Sequence, residues 1–210
     1  MAAINQAYAT VQEYKAVVGN SDSAADILIA RHLLTCSRLF DREVGQWFGK
    51  SDAPVSRIFK AKWTDRLDLD VDEDGCPGIA DMTGFAIKVD TDDDGSFADE
   101  SAWSAGDFEL LPRNAQLGPE SRPYTRIETS RSSSKRFVPG NRVQVTAIWG
   151  WPAVPDAVRD EIIELCGIWR TENPRATGRM NELDAVVSAS PMAMSLLKRV
   201  REAYSSKVTF

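Results

Sequence analysis

The sequence has few of the residue types on which catalytic and metal sites most often depend. Its 210 residues include a single histidine, His32, and three cysteines, Cys36, Cys76 and Cys166. A Ser-His-Asp or Cys-His triad would have to use His32. Nothing around His32 suggests a nucleophile, so a packed or helix-surface histidine is the favoured interpretation. The cysteines are odd in number and form no C-x-x-C pair, which argues against a disulfide framework and against a zinc site.

The sequence also lacks long apolar runs and an excess of basic charge. No run approaches the roughly 18 apolar residues of a membrane helix, and residues 1–10 show no signal-peptide pattern. There is no glycine-rich phosphate loop of the P-loop or Rossmann form. The formal net charge is −6. Because duplex DNA binders usually carry a basic face, this charge argues against tight DNA binding, but not against a channel through which DNA slides.

The N-terminal part of the chain has helical patterns. Thr10 and Glu13 form a capping-box pattern, and Gly19 can close the short helix that follows. A longer helix is predicted from about Ser21 to Phe48. Its apolar residues are so numerous that the helix should be buried on more than one side, in a bundle or between subunits. Those spaced three or four apart are Ile29, Leu33, Cys36, Phe40, Val44 and Trp47.

The middle of the chain, from about Ser56 to Trp149, alternates with a period of two. Phe85, Ile87 and Val89 show this alternation, which is typical of half-buried strands. We predict five to seven strands in a mainly antiparallel β-domain. Turn signals separate the strands at Asp74-Gly75, Asp94-Gly95 and Pro139-Gly140, and residues 130–134 have the composition of a hairpin loop.

Helical spacing returns near the C-terminus. One helix is predicted from Pro155 to the Asn173-Pro174 stop signal, residues 175–189 are predicted to be a polar loop, and Ser190-Pro191 should begin a last helix. The predicted fold class is α+β, a helical bundle formed by the N- and C-terminal segments with an inserted, mainly antiparallel β-domain. The predicted divisions of the chain are the N-terminal helical part of the bundle (residues 1–55), the inserted β-domain (56–150), and the C-terminal helices with an extended tail (151–210).

The motif Asp-x-Asp-x-Asp-Gly occurs twice, a spacing that calcium loops use to converge carboxylates on one cation. Neither copy has the bidentate Glu of an EF-hand at its twelfth position, where Asp81 and Ser101 stand. We favour two β-hairpin turns and keep a bound cation as the alternative. The candidate ligands are Asp70, Asp72 and Asp74 in the first copy and Asp90, Asp92 and Asp94 in the second.

Two tryptophans flank a glycine where the β-domain ends. In Trp149-Gly150-Trp151-Pro152 the large aromatic surfaces bury well and the glycine lets the chain bend. We predict that Trp149 and Trp151 form an interface that anchors the β-domain to the bundle, with a carbohydrate-binding shelf as the weaker alternative. The basic segment from Arg131 to Arg136 could touch phosphate, although an exposed hairpin tip is favoured.

An ordered set of segments resembles the head-to-tail connector (adaptor) proteins of long-tailed bacteriophages. The similarity spans roughly residues 8 to 172. In chain order the segments are Tyr8-Ala-Thr10, Ala86-Ile-Lys-Val-Asp-Thr-Asp-Asp-Asp-Gly95, Trp103, Asp107-Phe-Glu-Leu-Leu-Pro-Arg-Asn114, Pro123-Tyr124 and Trp149-Gly-Trp-Pro-Ala-Val-Pro155.

This resemblance implies a structural subunit of the virion neck, assembled in the bacterial host cytoplasm. Such subunits form a ring, usually of twelve copies, between the portal and the stopper or tail, and genomic DNA passes through the lumen. The family offers no catalytic residues or cofactor to transfer. The strand-like tail Lys207-Val208-Thr209-Phe210 is then expected to dock on the portal or on a neighbouring subunit, and a tail folded back on its own β-domain is the alternative. The alternatives are a calcium-stabilised β binding module of a virion or surface protein and a small hydrolase that uses acidic residues.

Overall fold

The protein consists of two compact units in the computed structural model, which describes residues 6–19, 22–69, 78–117 and 121–204. Of these described residues, those from 6 to 48 and from 154 to 204 belong to the helical unit, and those from 49 to 153 belong to the β unit. The predicted α+β class is therefore confirmed, with terminal helices that pack together and inserted antiparallel sheets.

The described residues of the helical unit form five helices. Two of them, α2 and α3, each contact the other four and together form the centre of the bundle. The helices are α1 (Val11–Val18), α2 (Asp26–Val44), α3 (Asp156–Glu172), α4 (Met180–Ala189) and α5 (Pro191–Tyr204).

The broad apolar stripe of α2 is buried within its own helical unit. Leu33, Cys36 and Phe40 have no exposed surface, and neither do Cys166 and Trp169 of α3. Each fully buried side chain of this size contributes about 1.5–3 kcal/mol relative to an exposed one. The sequence allowed burial either in a bundle or between subunits. Burial in the bundle accounts for most of the apolar stripe.

The predicted capping box at the start of α1 is confirmed. The Thr10 hydroxyl accepts the Glu13 amide at 3.1 Å, and the Thr10 amide donates to the Glu13 carboxylate at 2.7 Å. Gly19 ends the helix with φ +68°, a left-handed conformation that favours glycine. The predicted starts of α3 and α5 are also found, after Pro155 and at Pro191.

The prediction of a polar loop over residues 175–189 is wrong from Met180 onward, because Met180–Ala189 forms α4. The carboxylate of Glu182 accepts the backbone N–H groups of Thr177, Gly178 and Arg179. It thereby binds the amide of the N-cap residue Arg179, as in a capping box, and fixes the two residues before it. Leu183 is fully buried, so tertiary packing stabilises a helix whose exposed face is polar.

The described residues of the β unit form two three-stranded antiparallel sheets. The strand order is β1-β6-β3 in one and β2-β5-β4 in the other, and the six strands lie within the predicted number. They are β1 (Val55–Lys60), β2 (Arg66–Asp68), β3 (Ile79–Val89), β4 (Phe108–Leu111), β5 (Arg126–Thr129) and β6 (Arg142–Trp149).

The period of two follows from one buried face per sheet. In β6 the side chains of Val143, Val145 and Ala147 are fully buried, while those between them are partly exposed. The second sheet buries Leu67 of β2, Ile127 of β5, and Phe108 and Leu110 of β4. A register slip of one residue would turn these apolar side chains to the opposite face.

Two of the predicted hairpin turns are wrong. Asp94-Gly95 lies between β3 and β4, and residues 130–134 lie between β5 and β6, yet the two strands of each pair belong to different sheets. Gly95 has φ +82° and Gly140 has φ +97°. The sequence signal therefore correctly marked backbone with positive φ, but such backbone also occurs in connections between sheets.

Candidate functional site

An acidic turn follows directly after strand β3. Asp90 extends the sheet, because its amide donates to the Arg142 carbonyl at 3.0 Å and its own carbonyl accepts the side-chain amide of Asn141 at 2.7 Å. Carboxylate oxygens of Asp90, Asp92 and Asp94 lie within 4.8 Å of one another. The second of the two predicted Asp motifs is therefore gathered in space, whereas Asp70, Asp72 and Asp74 lie outside the described residues.

The carboxylate of Asp90 is the buried member of this acidic turn. The residue has no exposed surface. Its Oδ2 accepts the Gly95 amide at 3.0 Å, while its Oδ1 has no hydrogen-bond partner. Asp92 and Asp94 are exposed. A buried carboxylate oxygen without a partner is costly, since it has lost its hydration without a compensating interaction.

Hydrogen bonds from the backbone and repulsion between carboxylates shift the pKa values on the exposed side of the turn. The Asp94 oxygen Oδ1 accepts the Ser96 amide at 2.7 Å. The Asp94 backbone N–H donates to Asp92 and favours its charged form, but desolvation and the charges of Asp94 and Asp99 outweigh it and raise the pKa of Asp92. Hydrogen bonds from Thr91 lower the pKa of Glu100. The turn therefore concentrates negative charge.

Trp149 is a core residue of the β unit. It is 2% exposed, and its indole Nε1–H donates to the Val55 carbonyl at 2.7 Å. Its ring lies 5.5 Å from that of Phe59, and the Arg57 guanidinium stacks on it at 5.1 Å. Trp151 is 8% exposed, so neither indole offers an open shelf. The interface role of the two tryptophans stays a prediction.

His32 is packed inside the helical unit, as the sequence favoured. It is 1% exposed, and its ring lies 4.3 Å from that of Trp169. Nε2 is 3.2 Å from the Ala176 carbonyl oxygen, which fits an Nε2–H tautomer that donates there. Burial lowers the pKa of His32, so the neutral ring is favoured. These contacts give the histidine a structural role.

A polar network that the sequence did not reveal holds the segment before α1 against α2. The Tyr8 hydroxyl donates to Asp41 Oδ1 at 2.5 Å and accepts the Phe48 amide at 2.8 Å. Arg38 Nη1 donates to Asp41 Oδ2 at 2.6 Å. Burial raises the pKa of Asp41 to about 6, against the opposing effects of the Tyr8 hydrogen bond and the Arg38 charge.

Removing one hydroxyl should measurably weaken this network. We expect Tyr8→Phe to lower the free energy of unfolding of the helical unit by about 1–3 kcal/mol, because the Asp41 carboxylate and the Phe48 amide each lose a buried partner. Denaturant unfolding followed by far-ultraviolet circular dichroism measures the change. In a cycle with Asp41→Asn, the two substitutions should be non-additive. Fully additive effects would show that Tyr8 and Asp41 do not act together.

An exposed apolar surface lies on α1 and α2 of the helical unit. Ile27 is 83% exposed and Val17 is 69% exposed. The neighbouring groove between the two helices has a volume of about 800 Å³, and a 2.9 Å ion pair joins Lys15 to Asp26 at its rim. We call Val17, Val18, Ile27 and the groove the α1–α2 face. Across the described ranges no helix combines the length and the apolar character that a membrane crossing requires.

The chain is similar in structure to two solved particle necks. One is described as the neck of an empty GTA (gene transfer agent) particle computed with C6 symmetry; it is 19% identical with a TM-score of 0.52, and the match covers 96% of this chain and 93% of that one. The other is described as the neck of a native GTA particle computed with C12 symmetry. It is 20% identical with a TM-score of 0.50, and the match covers 96% of this chain and 92% of that one. No protein-family model and no curated protein matches. The comparisons therefore establish a shared fold.

Proposed function

We propose that this protein is a structural subunit of the neck of a phage-like particle. The observation that carries the proposal is the shared fold with two neck proteins, which extends over nearly the full length of both chains. Both units take part in this likeness, so it does not depend on one common module. The resemblance of residues 8–172 to phage head-to-tail connectors supports the same role from the sequence.

In this proposal, copies of the chain form a closed ring by heterologous contacts between neighbours. The α1–α2 face supports it, since Ile27 is 83% exposed on a helix whose other large apolar residues are buried or partly buried. Such exposed apolar surface commonly marks an interaction site. We propose a neighbouring copy as the partner that covers this face. The symmetries of the two similar necks, C6 and C12, are compatible with a ring of twelve.

The ring would lie between the portal and the stopper or tail, with genomic DNA passing through its lumen. A net charge of −6 per chain suits that passage, because each cationic contact to phosphate would add affinity and slow the sliding of DNA. The tail at Lys207, Val208, Thr209 and Phe210, which lies outside the described residues, would dock on the portal or on a neighbouring copy. Trp149 and Trp151 would help to hold the β unit in place.

Immunogold electron microscopy of the particles that contain this chain tests the proposed location. An antibody raised against the purified full-length protein should label the junction of head and tail. Particles assembled without the chain should lack the label and accumulate as separate heads and tails. Label on the capsid surface or at the tail tip would contradict a neck role and would favour a surface binding module.

A further inference from the structure

We propose that the acidic turn formed by Asp90, Asp92 and Asp94 binds one divalent cation, calcium by preference. This inference stands on the β unit alone and does not depend on the neck role. The three carboxylates lie close enough together to share one ion. Calcium holds its oxygen ligands at about 2.3–2.6 Å, so two oxygens on one ion are separated by at most about 5 Å. Oxygens of all three carboxylates already lie within 4.8 Å of one another.

Asp90 has a buried carboxylate oxygen that lacks a hydrogen-bond partner. This residue is completely buried, and its Oδ1 has no hydrogen-bond partner while its Oδ2 is held by the Gly95 amide. The carboxylate belongs to the gathered set, so a cation bound there would supply the partner that Oδ1 lacks. A hard cation suits this site, because all three side chains that would ligate it offer carboxylate oxygens.

Among the described residues, neither Asp90 nor Asp92 nor Asp94 takes part in an ion pair. Arg142 passes beside Gly95, where an added Cβ would meet its Nη1 at 2.6 Å, but it makes no salt bridge to any of the three. A bound divalent ion would offset the repulsion among these three carboxylates, whose oxygens lie within 4.8 Å of one another.

The ligand set indicates modest affinity. Ser101 stands where an EF-hand has its bidentate Glu, so the turn offers three carboxylates and leaves other coordination positions to water or backbone oxygens. Sites with few charged ligands have dissociation constants of about 10⁻⁴–10⁻³ M for calcium. Magnesium should bind more weakly, because it demands near-octahedral geometry and dehydrates reluctantly.

Calorimetric titration of the full-length protein with calcium chloride tests the proposal. Asp92→Asn and Asp94→Asn are the informative variants, since asparagine keeps the oxygen that accepts a backbone amide in each turn and removes only the charge. Asp52→Asn, an exposed position of the same unit, is the charge-matched control. Asp72→Asn tests the first Asp motif in parallel. Saturating calcium should also raise the melting temperature of the β unit by several degrees.

The expected result is binding in the range above that weakens at least about tenfold in Asp92→Asn and in Asp94→Asn. Asp52→Asn and Asp72→Asn should bind like the unchanged protein. The proposal is overturned if no binding is seen up to a calcium concentration about ten times the weakest expected dissociation constant. It is equally overturned if Asp92→Asn and Asp94→Asn bind normally, or if only Asp72→Asn loses the ion.

Discussion

Replacing Trp149 by alanine should destabilise the β unit by about 3–5 kcal/mol, the usual cost of truncating a fully buried tryptophan. The indole stabilises the unit through its buried apolar surface, its hydrogen bond to the Val55 carbonyl, and its contacts with Phe59 and Arg57. Collapse of the neighbours into the space left behind would restore little, because the residue lies at the end of a central strand, β6, that pairs on both sides. Differential scanning calorimetry should show an earlier β-unit transition.

Trp63→Ala is the matched control for this substitution. Trp63 belongs to the same unit but is 49% exposed, with the Arg66 guanidinium over its ring at 4.7 Å. Its truncation should cost less than about 1 kcal/mol, since surface substitutions rarely cost more. If the two variants were destabilised equally, Trp149 would not be the core residue that its burial indicates.

Introducing a charge on the α1–α2 face should prevent ring assembly. In Ile27→Glu the glutamate would lie in the interface with a neighbouring copy, where an unpaired buried charge costs about 3–5 kcal/mol. That cost weakens each contact more than about 100-fold. Because Ile27 is 83% exposed in the single chain, the variant should still fold with unchanged melting temperature. The number of tailed particles formed with this variant, counted by electron microscopy, measures the effect.

Ser188→Glu adds the same charge at an exposed polar position of α4 and should leave tailed particles at their normal number. Ordinary assembly with Ile27→Glu would show that the α1–α2 face is not a contact between copies. A lowered melting temperature of that variant would instead show that Ile27 supports the subunit's own fold.

The helices and strands with strong local signals could be predicted from the sequence. The capping box of Thr10 and Glu13 is complete within four residues, and the starts of α3 and α5 are marked by Pro155 and Pro191. The predicted loop over α4 failed because that helix depends on tertiary packing of Leu183 and on Glu182 reaching back to three amides. Composition alone does not reveal either effect.

Strand connectivity was harder to predict than strand existence. Asp94-Gly95 has the composition of a hairpin turn, but β3 pairs with β6 and β4 pairs with β5, so the turn carries the chain from one sheet to the other. A two-residue turn signal reports local φ, whereas pairing is decided by which apolar faces meet. The alternation of Phe85, Ile87 and Val89 indicated a strand but not its partner.

The acidic turn could be foreseen only in part. The spacing of Asp90, Asp92 and Asp94 placed the three carboxylates in one motif, and the structure brings them together. The complete burial of Asp90 follows from its position at the end of a strand that pairs beside Arg142 and Asn141, which no local pattern encodes. The Tyr8–Asp41 network joins residues 33 positions apart and left no signal in the sequence.

A cryo-electron microscopy reconstruction of the particle neck, with the density assigned to individual chains, tests the central claim most directly. We predict a closed ring of this chain directly beneath the portal, with rotational symmetry of order twelve or six, the α1–α2 face of each copy covered by its neighbour, and DNA or an open lumen on the axis. A neck in which this chain is present as a single copy, or from which it is missing, would contradict the proposed function.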